Sequence, residues 1–221
     1  MLIINNKALK VGNKWLNPVE SVPPTPPGPT FDEVTIGTQT WMDSNLAIDD
    51  GQGDIFVQPS VVTNGVSLGD QYFYNYTSAS RIANSISGWH LPSVSEYTTL
   101  LNYIYGGNVT TSDIDQATIR KMMATNAGWN SDSLPNNDTG FGMKPVGCVS
   151  TDNTYYQCGD GVSLADGGQV IHLLTSDTYS STIGCYTLSN FVILDFNFSP
   201  KGYITNNPSI NMGSVRLIKD T

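Results

Sequence analysis

The sequence predicts an α+β fold with two helices and a mostly antiparallel, loop-rich sheet. Two stretches of helical period lie together in the middle of the chain, at residues 93–105 and 115–126. From Phe141 onward the chain is rich in glycine and in short apolar runs. It closes on Gly213-Ser214-Val215-Arg216-Leu217-Ile218, which reads as one core strand. Helices grouped ahead of many short strands, and not alternating with them, exclude repeated βαβ units.

Residues 2–16 alternate apolar and polar side chains around Gly12-Asn13, the pattern of a small hairpin. Fifteen residues cannot bury a core of their own. The hairpin is therefore either a flap on the main domain or a tag that docks onto a partner. Residues 17–30 hold six prolines and read as an extended, semi-rigid spacer, which favours the tag. The predicted organisation is an attachment tag at 1–16, a spacer at 17–30 and a ligand-binding domain at 31–221.

Within that domain, Val34-Thr35-Ile36 and Gln39 to Met42 form a hairpin about Gly37-Thr38. Asp43 to Asn64 reads as a polar loop. Its Asp49, Asp50 and Asp54 lack the spacing of a calcium loop and are read as solvated acids. Gln71 to Tyr76 is an aromatic strand, and Thr77 to Ile86 a short helix. Ser93 with Glu96 three residues on is a capping box. Val94, Tyr97, Leu100, Leu101 and Ile104 follow at helical spacing, and Gly106-Gly107 ends the helix. Asp115 to Asn126 is the next helix, with Ile119, Met122 and Met123 on its apolar side.

Composition removes several classes of function. A net charge of −9 and a pI near 4.4 leave no basic patch for nucleic acid and disfavour anionic membranes. No apolar run reaches membrane-spanning length. Lys7, Lys10 and Lys14 are spread through the N-terminus with no apolar stretch after them, so no secretory signal is expected. Cys148, Cys158 and Cys185 are an odd, low count without a CxxC, poor material for a disulfide framework. Cys148 and Cys158 can bridge only if they face each other across a hairpin. His90, in GWHLP, reads as a hydrogen-bonded structural residue, and His172, in QVIHLL, as part of a core strand. Neither has a Cys or a carboxylate at ligand spacing. No catalytic residue, metal or cofactor is expected, and the protein is read as not an enzyme.

The region before the closing strand has an unusual surface chemistry. From Pro145 to Pro200 there is no Lys, Arg or Glu, and Ser, Thr, Asn and Tyr supply about half of residues 173–212, a surface rich in adaptable contact residues. Phe191-Val192-Ile193-Leu194-Asp195-Phe196 reads as a strand, with Phe191, Ile193, Asp195 and Asn197 pointing outward. Outward Phe and Ile on one face suit a binding patch. Tyr179, Ser181, Thr182, Tyr186, Ser189 and Asn190 lie in the loops before that strand. Tyr203, Thr205, Asn206, Asn207, Ser209 and Asn211 lie in the loop before the last one. These sixteen residues are the predicted ligand contacts.

VTIGTQTWMDSNL, YFYNYTSA, SGWHLPSVSEYTTL, GWN…TGFGMKPVG and GSVRLIKD occur in this order. Together they resemble the Fibrobacter succinogenes major paralogous domain, whose pattern runs roughly TIGxQxWMxxNL, YNW, GWHLPSxxEW, GF, YWSST and GFSVRxVKD. The resemblance spans Val34 to Asp220. It departs at Leu173-Leu174-Thr175-Ser176-Asp177, where the family has YWSST, and at Tyr76 and Tyr97, where the family has Trp.

That domain is regarded as C-type-lectin-like, of the formylglycine-generating type. The resemblance also makes Leu194 and Phe196 core residues. The chain offers no reactive cysteine pair like that of the formylglycine-generating enzymes, and no EPN, QPD or WND motif for calcium-dependent sugar binding. It is similar to the variable proteins of diversity-generating retroelements, in which adenine-directed mutagenesis rewrites codons ahead of an SVRLVKD-like strand. Such mutagenesis of Asn codons does not readily yield Lys, Glu, Gln, Trp or Met, and residues 173–200 contain none of the five.

The similarity implies a phage tail receptor-binding protein. Its expected location is the virion or an extracellular surface, and its expected partner a bacterial surface protein or glycan. Residues 1–16 are expected to hold a tail component, and the trimeric habit of such relatives implies a homotrimer. A bacterial cell-surface adhesin of the same domain family, and an enzyme of formylglycine-generating type, are the alternatives.

Overall fold

A computed structural model describes residues 9–11, 14–16, 29–109, 114–129, 134–150, 153–156, 171–177 and 210–221. Eleven strands and three helices lie in these residues, an α+β arrangement in which every ladder is antiparallel. Near the N-terminus β1 (Leu9–Val11) pairs with β2 (Lys14–Leu16), Leu9 opposite Leu16. Of the stretch 17–30 expected to be a spacer, residues 17–28 lie outside the described residues.

The main sheet begins with β3 (Glu33–Ile36) and β4 (Gln39–Met42), joined at Gly37-Thr38 as the sequence predicts. Two further strands complete it: β7 (Trp89–His90) and, from the far end of the chain, β11 (Ile218–Lys219). Their order is β3-β4-β11-β7, so the C-terminal strand sits inside the sheet between elements more than a hundred residues earlier. A second sheet runs β10 (Ile210–Met212), β8 (Cys148–Ser150), β9 (Tyr155–Tyr156).

The predicted polar loop at 43–64 is half strand. β5 (Ile55–Thr63) pairs with β6 (Val66–Tyr74) around Asn64-Gly65. Both turn residues have positive φ, 45° and 77°, and Asn-Gly is a favoured pair for that backbone. Asp50 and Asp54, read as solvated, instead clamp Arg81. Arg81 Nε donates to Asp50 Oδ2 at 2.6 Å, and Nη2 donates to Asp54 Oδ1 at 2.6 Å. Hydrogen bonding to Arg81 holds both carboxyls below their ordinary pKa. They anchor the loop to α1 (Tyr76–Ser85). Tyr76, assigned to a strand from sequence, opens this helix, because the side chain of Asn75 caps Ser78 N–H at 2.8 Å.

α2 (Val94–Tyr105) matches its predicted span, with both halves of the Ser93–Glu96 capping box formed and Gly106 left-handed at its end. It turns Tyr97, Leu100, Leu101 and Ile104 inward onto Trp41, whose ring lies 5.0 Å from that of Tyr97 and 5.6 Å from that of Phe141. The helix expected over 115–126 is much shorter. α3 (Gln116–Arg120) stops after five residues; with α1, which the sequence offered as a short helix beside the two of helical period, the described residues hold three helices. Tight turns follow, Met122 N–H donating to Ile119 O and Met123 N–H to Arg120 O. Met123 then pairs in parallel with Met143. Burial of both methionines in a non-helical backbone defeats the helical period.

The β5–β6 tip is docked by Asn64, whose amide donates to Gly128 O at 2.7 Å. A Cβ on Gly128, at φ +75°, would lie 2.1 Å from the Thr63 carbonyl oxygen. Gly128→Ala should therefore cost about 2 kcal/mol or more in urea unfolding. An unchanged midpoint would mean that the tip is not seated on this turn.

Candidate functional site

Residues 212–218 are buried without a break, but they do not form the single strand that their pattern suggests. Ile210–Met212 joins one sheet and Ile218–Lys219 the other. Between them the backbone bonds each neighbour in turn. Gly213 and Tyr74 exchange both hydrogen bonds, at 2.9 and 3.0 Å. Leu174 N–H donates to Ser214 O, and Ser214 N–H to His172 O, at 2.9 and 2.8 Å. Leu46 N–H donates to Val215 O at 2.8 Å, and Met42 N–H to Leu217 O at 3.1 Å. An alternating apolar pattern forecasts burial on one face; here successive partners lie on different segments, so both faces are covered.

Arg216 is the polar centre of this stretch. It is 1% exposed, and its guanidinium lies 4.5 Å from the centre of the Phe141 ring. Nη1 donates to the carbonyls of Asp43, at 3.0 Å, and of Phe141; Nη2 donates to Asn45 Oδ1 at 3.0 Å. Burial pushes its pKa down to about 10, which leaves it charged at neutral pH. A buried charge is tolerated when its donors are taken; here both terminal nitrogens are satisfied, while the buried Nε has no partner among the described residues. The price of the cage is shared by residues 43–45 and 141, which are thereby fixed to the closing segment.

The approach to residue 178 is equally fixed. Ile171, His172, Leu173, Leu174 and Thr175 are all buried. Leu173 bridges Ser214 in parallel, and Ile171 bridges Gly147. Burial drives the His172 imidazole down to about 3, so it is neutral in the fold and unsuited to take up a proton at physiological pH. Ser176 is exposed and Asp177 half-buried. Within the weakly charged region 173–212 that the sequence singles out, Leu173, Leu174 and Thr175 thus belong to the core, as does the closing end from Met212 to Ile218. Asn211, expected in a loop, lies in β10. The other fifteen predicted contacts, from Tyr179 to Ser209, lie outside the described residues, and so do Cys158 and Cys185. The structure brings together the two flanks of that segment.

His90 performs the structural role expected of it, on a partly exposed edge. Its Nδ1 lies 2.6 Å from Asp220 Oδ1 and its Nε2 2.7 Å from Glu96 Oε1. Burial lowers the imidazole pKa, but the bonds to Glu96 and Asp220 outweigh it and hold the pKa above the ordinary 6.5. Burial raises Glu96, yet bonds from the Ser93 N–H, from His90 and from the Ser93 hydroxyl leave it below 4.5. With both ring nitrogens on carboxylates, this histidine cannot also serve a Ser hydroxyl as a general base. Among the described residues no helix is long and apolar enough to cross a membrane.

The chain matches the model of the Fibrobacter succinogenes major domain over residues 34–164, more than half its length. It belongs to that family. No curated protein and no solved structure matches it. In this Fibrobacter succinogenes major domain the matched span contains β3 to β9 and all three helices, the whole frame except the closing segment and the approach at 171–177. The match stops short of the GSVRLIKD motif that carried the sequence resemblance to Asp220.

The His90 cluster sets a pH dependence. The raised folded pKa of His90 gives stability that is complete below 6.5 and lost as pH rises through the folded value. Glu96, lowered, contributes above 4.5 and loses its contribution as pH falls through its folded value. Thermal melts should therefore separate the parent from His90→Gln most widely between pH 4.5 and 6.5, with the gap closing toward pH 9. A gap that widens with rising pH would contradict the protonated bridge.

Proposed function

We propose that this Fibrobacter succinogenes major domain protein is a non-catalytic receptor-binding protein with a C-type-lectin-like fold. It recognises a bacterial surface molecule through residues 177–211. We assign it to a phage tail, attached through the hairpin at 1–16 with 17–30 as spacer and assembled as a trimer, with its binding segment diversified by a retroelement. The observation that carries this reading is a contrast. The segment's two flanks, 171–175 and 212–218, are core, hydrogen-bonded to each other and to Met42, Leu46 and Tyr74 of the frame. Between them residues 178–209 contain one basic residue, Lys201, one acid, Asp195, and no Glu, Gln, Trp or Met. Fixed ends around a weakly charged Tyr-, Asn- and Ser-bearing segment suit a surface whose contacts change while its support does not.

The test uses bacterial cells to which the parent protein adsorbs. Phe191→Ala, Ile193→Ala and Tyr203→Ala combined should reduce adsorption roughly tenfold or more, as loss of aromatic anchors does in binding surfaces, with the melting temperature retained. Parental adsorption by the folded triple variant would discard the face. For diversification, the flanking DNA should hold a near-copy of the segment encoding 174–219, differing mainly at adenines, beside a reverse transcriptase. Intact flanking DNA with neither would remove the retroelement and leave the binder.

A further inference from the structure

We propose that Asp177 is the positioning residue that fixes where the binding segment leaves the frame, by capping α2 from 83 residues away. This rests on the reading of 177–211 as the binding region, and makes its first residue the fixed end from which the contacting residues, 178 onward, depart. A helix leaves its first amides without internal partners. In α2 the Ser93 hydroxyl accepts from Glu96 N–H at 3.2 Å, and the Glu96 carboxylate accepts from Ser93 N–H at 2.7 Å. That box satisfies the N-cap and the third helical residue but does not reach the first. The Val94 N–H is taken by Asp177 Oδ2 at 2.6 Å. A carboxylate at this end is favoured by the helix dipole as well as by the hydrogen bond.

The residues around Asp177 leave it little choice of direction. Its own N–H donates to Thr175 Oγ1 at 3.3 Å, and Thr175 is buried. Ser176 N–H donates to Pro92 O at 2.9 Å, and the Tyr76 hydroxyl donates to Ser176 O at 3.4 Å. The chain is thus held at the start of α1, at the approach to α2 and at the first amide of α2 within two residues. Only the last of these holds uses a side chain of the segment's own flank, and that side chain is charged. With this anchor in place, substitutions from residue 178 onward leave the point of departure unchanged. Asp177 is therefore the boundary between the part of the chain that must stay and the part that is free to change.

Trypsin reads the anchor directly. Lys201 is the only Lys or Arg between Lys144 and Arg216, so one cleavage reports on the segment. Arg81, Arg120 and Lys121 report on the frame in the same digest, whereas the Lys144–Pro145 bond resists trypsin. In the full chain, Asp177→Ala should raise cleavage after Lys201 roughly fivefold, the size of one lost helix cap, with the frame sites cut at the parental rate. Asp177→Asn keeps an acceptor oxygen and should fall between the two. Unchanged cleavage after Lys201 in Asp177→Ala overturns the proposal, and so does equal acceleration at every site, which would make Asp177 a general stabiliser. The adsorption assay stands apart. If Asp177→Ala accelerates cleavage after Lys201 while the triple alanine variant still adsorbs, the binding face is wrong and the anchor holds.

Discussion

Seven consecutive residues, Met212 to Ile218, are buried, and their backbone bonds residues from three other parts of the chain, 42–46, 74 and 172–174. Arg216 sits at their centre with its charge spent on backbone carbonyls and one amide oxygen. A guanidinium without those acceptors would be far too costly to bury, so the cage and the burial require each other. The turn after β4, the Phe141 turn and the approach at 171–175 are all held in register by this stretch. The flanks of residues 178–209 therefore derive their stability from partners outside that segment, which is what the proposed binding role requires of them.

The helix α2 links this frame to the other flank. Its N-terminus gathers Glu96, His90, Asp220 and Asp177. One end of the helix thereby ties the C-terminal strand, through Asp220, and the approach to residue 178, through Asp177. The two ties differ in kind. His90 between two carboxylates is partly exposed, and solvent screens its contribution. The Asp177 cap is a single short bond to a backbone amide that has no other role.

Much of the frame was legible in the sequence, and the failures have physical causes. The capping box and Gly106 gave α2 to the residue, because cap chemistry is local. The β3–β4 hairpin was equally legible from its turn. The β5–β6 hairpin was missed although Asn64-Gly65 marks its turn, since the acids at 49–54 dominate the reading of that stretch. Their partner, Arg81, is 27 to 31 residues away and leaves no local trace. The second helix was overextended because Met122 and Met123 keep a helical spacing while serving a bridge to Met143. At the candidate site, the apolar pattern of 213–218 foretold burial but not the irregular backbone, which depends on who lies alongside. Asp177 was visible only as a departure from the family's motif; its capping role needs a fold that brings it back to α2.

Residues that share one frame should open together. Native-state hydrogen exchange on the amides of Met42, Leu46, Tyr74, Leu174 and Ser214 tests this most directly, since each donates to the closing segment or its neighbour. The account predicts one common opening free energy for all five, equal to that of global unfolding. Exchange of Leu174 and Ser214 at a clearly lower free energy than Met42 and Tyr74 would show that the flank of the proposed binding segment is not part of the frame, and would contradict it.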